Sequence, residues 1–407
     1  MTKPIYLYIT TLFPAPETWE GGYSYDAVMA LRRTGRYDVR VLRPGGGADY
    51  VYNGIPVHRI PRKAFPSGLA PFLAHRRNWR TFCRRLKELN IEADNVAVCH
   101  AHVMECALYA AKFKELNPRT LTILHHHSTS MVNLRSGRLG IVPIHATILY
   151  FYFRWLCEHV DIHVFVSRKS QTSYGKVFQT TPESAFIDVK ERLLFGRFFR
   201  SIRLPRGIVF YNGYDPRMYY PLPSARGSDA MFRIGCVANF FYEKDHETLL
   251  KALACVKGRV PNVKLTCIGS GPMLEPSRAL IRQLGLEALV EIRPEIDHLE
   301  MPTFYRSLDL MVVPSRIEGF CCAYVESVAC GVPIMGCRGI SIEEVIPESD
   351  KAKWLITPRN EVELAEKIVA FYTHRMPFAF NRTLDIDSLW REFLDSIEPL
   401  RLEIAHG

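Results

Sequence analysis

Two glutamates stand eight positions apart in the run PSRIEGFCCAYVESVACGVP, residues 314–333. The pattern places Glu318 in a loop and Glu326 inside the helix that the loop opens. Gly319-Phe320 lie at the turn, Gly331 stops the helix, and Pro333 precedes the next strand. A helix start offers unpaired N–H groups and a partial positive charge, which suit a phosphate, and Gly319 lets backbone come close. Glu318 and Glu326 could then accept hydrogen bonds from hydroxyls on either side of a diphosphate, the layout of a sugar nucleotide. Taken alone, the pair is explained as well by acids favouring the early turns of a helix.

Two more loops carry the same chemistry. Gly269-Ser270-Gly271-Pro272 forms a turn between a strand and a helix, where backbone amides can reach an anion. In VANFFYEKDHETLL (237–250), Lys244 stands between strand and helix and can bring a point charge to a diphosphate, with Asn239 just upstream. All three loops follow strand C-termini, where open α/β sheets bind ligands.

The first half carries Gly21-Gly22, His100-Ala101-His102 and His125-His126-His127. Neighbouring side chains on one strand point to opposite faces, so three histidines in a row make a poor single site and no metal is expected. Asp385-Ile386-Asp387 falls at the cap of the last helix, with Asp387 as the cap, and is set aside as a manganese site. The eleven cysteines lie mostly in apolar runs without a CxxC, which predicts reduced, buried thiols in a cytoplasmic chain. The start MTKPIYLYITTLF reads as a first strand rather than an export signal.

These residues need elements to hold them. At 407 residues the chain suits two domains. Strands at 5–10, 39–42, 96–99, 121–124 and 161–166 alternate with helices, including a basic one at 76–89 and one capped by Ser167. A proline-rich linker over 216–229 separates a second alternating series. The reading is two Rossmann-like, doubly wound parallel-sheet domains, 1–220 and 221–381, with a tail helix near Ser388–Ile397. Residues 1–220 hold 31 Lys and Arg against 16 Asp and Glu, while the whole chain is only +10, so the first half faces an anionic partner. Ile141–Phe153 is apolar but too short to span a bilayer, and reads as either a core helix or an interfacial one. Leu193–Arg206 interleaves arginines with Phe195, Phe198 and Phe199, as an interfacial segment would. Both stretches suggest docking on the inner face of a membrane.

On Lys244, Gly269–Pro272 and the 314–333 block, the second half resembles the donor domain of retaining GT-B glycosyltransferases of the family-4 type, over most of 232–370. The first half matches more loosely. Gly21-Gly22 is similar to the glycine loop near the transferred sugar, and His100-Ala101-His102 to a strand-end His-x-His. His127 before Ser128-Thr129 resembles the family's strand-His-Ser/Thr pattern, with His126 its rival. Tyr211–Asp215 looks like the Asn-Gly-Val-Asp turn, and the tail with Trp390 like a crossover helix, 382–407, packing back on the first domain.

The resemblance implies a GT-B fold with two domains facing a cleft and a metal-independent sugar transfer from a nucleotide diphosphate sugar with retention. His127, Glu318 and Lys244 would be catalytic. Gly21, Gly22, Asn239, Lys244, Gly269, Gly271, Glu318, Gly319, Phe320, Cys321 and Glu326 would hold the donor, and His100, His102 and His126 would lie on the acceptor side. Asn239 departs from the family, which often has an arginine there, so phosphate binding would lean on Lys244. Cys321 replaces a common glycine or proline at a position used through its backbone. The implied acceptor is a glycan or lipid-linked molecule in cell-surface polysaccharide or lipopolysaccharide synthesis. A nucleotide-sugar epimerase and a non-enzymatic sugar-nucleotide binder are the alternatives. No recognition helix or RNA module accompanies the arginines, so nucleic acid is not an expected partner.

Overall fold

The computed structural model describes residues 3–16, 18, 21–62, 70–127, 143–178, 206–222 and 231–406. It divides into two compact units, Met1–Tyr211 with Asp387–Gly407, and Asn212–Ile386. Most of Leu193–Arg206, together with Ser128 and Thr129, lies outside the described residues.

The first unit is built on eight strands: β1 (Ile5–Thr10), β2 (Asp38–Pro44), β3 (Tyr50–Tyr52), β4 (Ile55–Ile60), β5 (Val96–His102), β6 (Leu121–His126), β7 (Ile162–Phe165) and β8 (Arg206–Val209). They run in the order β3-β4-β2-β1-β5-β6-β7-β8, and only the β3–β4 pair is antiparallel. Strands β1 and β6 are buried at every position, as expected of central parallel strands covered on both faces. The order turns around between β1 and β5, so the loops leaving those two strands diverge and leave a crevice at the sheet's C-terminal edge.

The helix Ala70–Glu88 lays Trp79, Phe82 and Leu86 on the core and turns Arg76, Arg77, Arg80 and Arg84 outward. Residues 143–153 of the apolar stretch belong to the helix Pro143–Glu158, whose Tyr152, Leu156 and Cys157 join the same core. At the end of the stretch, Tyr152 is buried and Phe151 and Phe153 pack against that core. Ser167 caps the helix Arg168–Phe178 by accepting from the Ser170 amide at 3.0 Å. All eleven cysteines are free thiols.

The tail is the helix Ile386–His406. Asp387 therefore stands inside its first turn rather than before it, and its carboxylate receives Arg33 Nη2 at 2.6 Å. Trp390 is fully buried in the first unit, edge-on to Tyr6 and Phe210.

The second unit has six parallel strands: β9 (Phe232–Val237), β10 (Val263–Ile268), β11 (Val290–Arg293), β12 (Leu310–Val312), β13 (Ile334–Cys337) and β14 (Leu355–Ile356). Their order, β11-β10-β9-β12-β13-β14, places the switch point between β9 and β12. The sequence boundary at 220 falls late, because residues 212–220 already belong to this unit. Tyr219 is buried with its hydroxyl 3.2 Å from His298 Nδ1, and Arg306 donates to the carbonyls of Met218 and Tyr220.

Candidate active site

In the second unit, the loops that leave β9 and β12 at the switch point carry Lys244 and Glu318. Their charged atoms, Nζ and Oε2, are 2.5 Å apart. Both side chains are largely buried, at 20% and 12% exposure. Burial alone would lower the Lys244 pKa, but the Glu318 carboxylate more than offsets this and holds the ammonium above its ordinary range. A charged lysine is therefore fixed beside the loop that opens the next helix.

That helix is Cys322–Ala329, and Cys321 is its N-cap in extended conformation with no side-chain cap bond. No acid occupies its first turn. Its N-terminal dipole meets no acid of its own first turn, which leaves that end suited to a phosphate. The Cys321 thiol is buried and its pKa is pushed up to about 12, so it is neutral and contributes position rather than charge. Phe320 is buried, and its carbonyl accepts from Asn212 Nδ2 at 3.3 Å.

Glu326 sits on the buried side of the same helix, and the Tyr305 hydroxyl donates to its Oε2 at 2.7 Å. Tyr305 comes from the short helix Met301–Arg306, which the sequence pattern did not reveal. Arg316 was likewise missed, although it lies within the Pro-Ser-Arg run. Its guanidinium stacks 4.0 Å over the Tyr242 ring, its Nε lies 3.6 Å from Asp245, and its amide donates to the Glu243 carbonyl. Arg316 therefore ties the Glu318 loop to the Lys244 loop. Nothing in its local sequence distinguishes it from an exposed arginine.

The glycine turn behaves differently from the sequence expectation. The Gly269 amide donates to the Arg293 carbonyl and the Ser270 amide to Asn239 Oδ1, so neither is directed at an anion. The glycines serve close packing. A Cβ on Gly269 would lie 2.4 Å from the Ala238 carbonyl oxygen, and one on Gly271 would lie 2.7 Å from that of Phe240. The turn thereby braces the Asn239 loop from behind, and the Asn239 oxygen is already engaged in that brace.

In the first unit, Gly21 adopts φ +93° and a Cβ there would lie 2.4 Å from the Leu12 backbone, so only glycine fits. Gly22 opens the helix Gly22–Arg33, and Tyr23 on that first turn brings its ring to within 4.9 Å of the His127 ring centroid. The glycine loop and His127 are thus assembled together at the switch point.

The other histidines separate by face. His126 points to the opposite side of β6, stacked on His163 and Phe165 and close to Tyr174. His100, His102 and His125 are almost completely buried beside His127. Buried side chains offer an acceptor no surface, so His100, His102 and His126 do not fit the acceptor-side role expected of them. The reason is that the strand runs on through His102 instead of ending at Cys99.

Residues 228–378 match the family model described as Glycosyl transferases group 1. The GDP-mannose-dependent alpha-(1-6)-phosphatidylinositol monomannoside mannosyltransferase of Mycobacterium tuberculosis (strain ATCC 25618 / H37Rv) is 24% identical over 306 residues, covering 72% of this chain and 70% of that protein. The protein of the same name from Mycolicibacterium smegmatis is 25% identical over 221 residues, and this chain spans about half (51%) of its length. Among solved structures, Anabaena HepE in complex with UDP and glucose superposes with a TM-score of 0.67 at 17% identity, covering 97% of this chain and 100% of that one. The catalytic domain of starch synthase IV from Arabidopsis thaliana, bound to ADP and acarbose, gives 0.67 at 11% identity with full coverage of both chains. The fold is that of the GT-B glycosyltransferases.

Proposed function

We propose that this chain, a GT-B glycosyltransferase by its fold and its group 1 segment, moves a hexose-type sugar from a nucleotide diphosphate sugar to a hydroxyl, with retention of anomeric configuration, as a family-4-type enzyme. The observation that carries the reading is the Lys244–Glu318 pair beside the uncapped start of the helix Cys322–Ala329. A diphosphate arriving there offers Lys244 more negative charge than one carboxylate does. Lys244 turns to the phosphates, which releases Glu318 to accept hydroxyls of the sugar. Glu326, oriented by Tyr305, accepts the ribose hydroxyls.

Leaving-group charge is then met by Lys244 and the helix start, with no divalent ion assigned to the diphosphate. Glu318 and Glu326 are each held by a partner, Lys244 and Tyr305, so neither is poised as the acid and nucleophile of a glycosidase. Front-side attack by the acceptor hydroxyl as the diphosphate departs is the step this arrangement suits.

The acceptor we infer is a glycan or a lipid-linked molecule of cell-surface polysaccharide or lipopolysaccharide synthesis, worked on at the cytoplasmic face of a membrane. The outward arginines of the helix Ala70–Glu88 support this. With Arg62 and Arg85 they line a cavity of about 920 Å³ that would accommodate an anionic headgroup. No helix among the described residues is long and apolar enough to cross a membrane. Relatives named for phosphatidylinositol monomannoside and for the lipopolysaccharide outer core point the same way.

A thermal-shift panel of nucleotide sugars tests the reading, followed by NMR of the product's anomeric proton. A donor that raises Tm in the wild type but not in Lys244→Ala, and an axial donor linkage kept in the product, are expected. Inversion of that linkage would remove the retaining assignment. The absence of any nucleotide effect on Tm would remove the donor site itself.

A further inference from the structure

Strands β5 and β6 are parallel neighbours, and their register sets His102 directly beside His125. His100 and His102 are two apart on β5 and share its face, so three imidazoles from two strands meet where no single strand could bring them. One nitrogen from each of His100, His102 and His125 lies within 4.8 Å of the other two. All three are about 1% exposed.

The nitrogens reveal more than the ring stacking. His100 Nδ1 is 2.7 Å from the Tyr6 hydroxyl, and His102 Nδ1 is 2.9 Å from His127 Nε2. The opposite nitrogen of each, Nε2, is buried without a hydrogen-bond partner, as are both nitrogens of His125. Burying polar atoms without partners is costly, so ring packing alone leaves this cluster unexplained. Ligating imidazoles are usually held from behind by a hydrogen bond at their other nitrogen, the arrangement that Tyr6 and His127 provide here.

We propose that His100, His102 and His125 bind a divalent transition-metal ion of the zinc class, with Tyr6 and His127 orienting two of the three ligands. Three imidazoles with no carboxylate or thiolate among them favour Zn, Cu, Ni or Fe over Mg or Ca. Ligand bonds of about 2.0–2.1 Å need donor atoms about 3.4 Å apart, and small χ rotations draw the three together from their present spacing. Burial and the neighbouring rings keep all three imidazoles neutral, the form that ligates. A fourth position is left for water or hydroxide. The ion lies in the first unit, and its test reads metal content without reference to the diphosphate chemistry assigned to Lys244 and Glu318.

The test is metal content by plasma mass spectrometry on the full chain, purified with a tag free of histidine and then given two equivalents of Zn²⁺ before gel filtration. Close to one zinc per chain is expected in the wild type and less than 0.1 in His125→Phe. That variant keeps the ring stack and so separates ligation from packing. His126→Phe, on the other face of β6, should keep its zinc. Wild-type content below 0.1, or full retention in His125→Phe, overturns the proposal. Should His125→Phe not fold, Co²⁺ loading of the wild type decides. Intense tetrahedral visible bands support the site, and the pale spectrum of aqueous Co²⁺ overturns it.

Discussion

Lys244 and Glu318 are 74 residues apart in the chain, yet their side chains form one ion pair of 2.5 Å at the switch point of the second sheet. The pair assembles a cation next to a helix start that carries no cap of its own. Most of the expected behaviour of the proposed donor site follows from it.

Under the proposed function, replacing Lys244 with alanine removes the cation assigned to the leaving diphosphate. A fall in kcat/KM of about 10²–10³-fold is expected, the usual cost of losing one preorganised donor at developing charge. Steady-state transfer assays with a saturating acceptor measure it. A loss of less than threefold would assign the pair to stability alone.

Tyr305→Phe takes one hydrogen bond from the Glu326 carboxylate and changes little else in a buried pocket. A bond to a charged group contributes about 1.5–3 kcal/mol, so donor Kd should weaken about tenfold or more. Turnover at saturating donor should stay close to wild type. Calorimetric titration with the nucleoside diphosphate separates the two, because a fall in kcat without a change in Kd would place Glu326 away from the ribose.

Gly269→Ala places a Cβ 2.4 Å from the Ala238 carbonyl oxygen at a φ of +149°. The strain and the displaced loop together should cost at least about 1–3 kcal/mol of stability. Gly46→Ala, where a Cβ meets nothing within 4 Å, is the matched control and should be near neutral. Urea unfolding of the two variants gives the comparison. Equal midpoints would mean that the turn can relax without cost.

Stability should decline in acid, in part through His163. Burial pulls its pKa down to about 4, against a smaller upward effect from its hydrogen bond to the Cys157 carbonyl. Above pH 6.5 the imidazole is neutral in both folded and unfolded chains and contributes no pH dependence. Below that the unfolded chain gains the proton first, so folding loses about 1.4 kcal/mol per pH unit until roughly pH 4. His163→Asn should remove that part of the slope while lowering stability at pH 7, as read from denaturant midpoints across pH 4–7.5. An unchanged slope would mean that His163 accepts a proton in the folded state.

Much of the candidate site is legible in the sequence because its signals are local. A Pro-Ser-to-Ala-Cys-Gly-Val-Pro block encodes loop, helix and stop in one stretch, and Lys244 sits in a recognisable strand-to-helix loop. Edge strands β3, β8, β11 and β14 and the helix Met301–Arg306 escaped because they are short, so periodicity has too few residues to register. Tyr305 and Arg316 act on partners far away in the chain, and no local pattern marks them. The glycine turn is legible too, but only the hydrogen bonds show that the Gly269 and Ser270 amides are in use.

The chain by itself determined two parallel-sheet units and the residues at the ends of their strands, since helix starts, glycine turns and apolar runs are properties of neighbouring residues. Which histidines meet was decided by strand register. Reasoning along one strand separates His125 from His126 correctly, but it cannot bring in His100 and His102, because that neighbourhood exists only once β5 and β6 lie side by side. The partners of Lys244, Glu326 and Asn239 were settled in the same way, by contacts across the sheet's edge that tertiary packing alone creates.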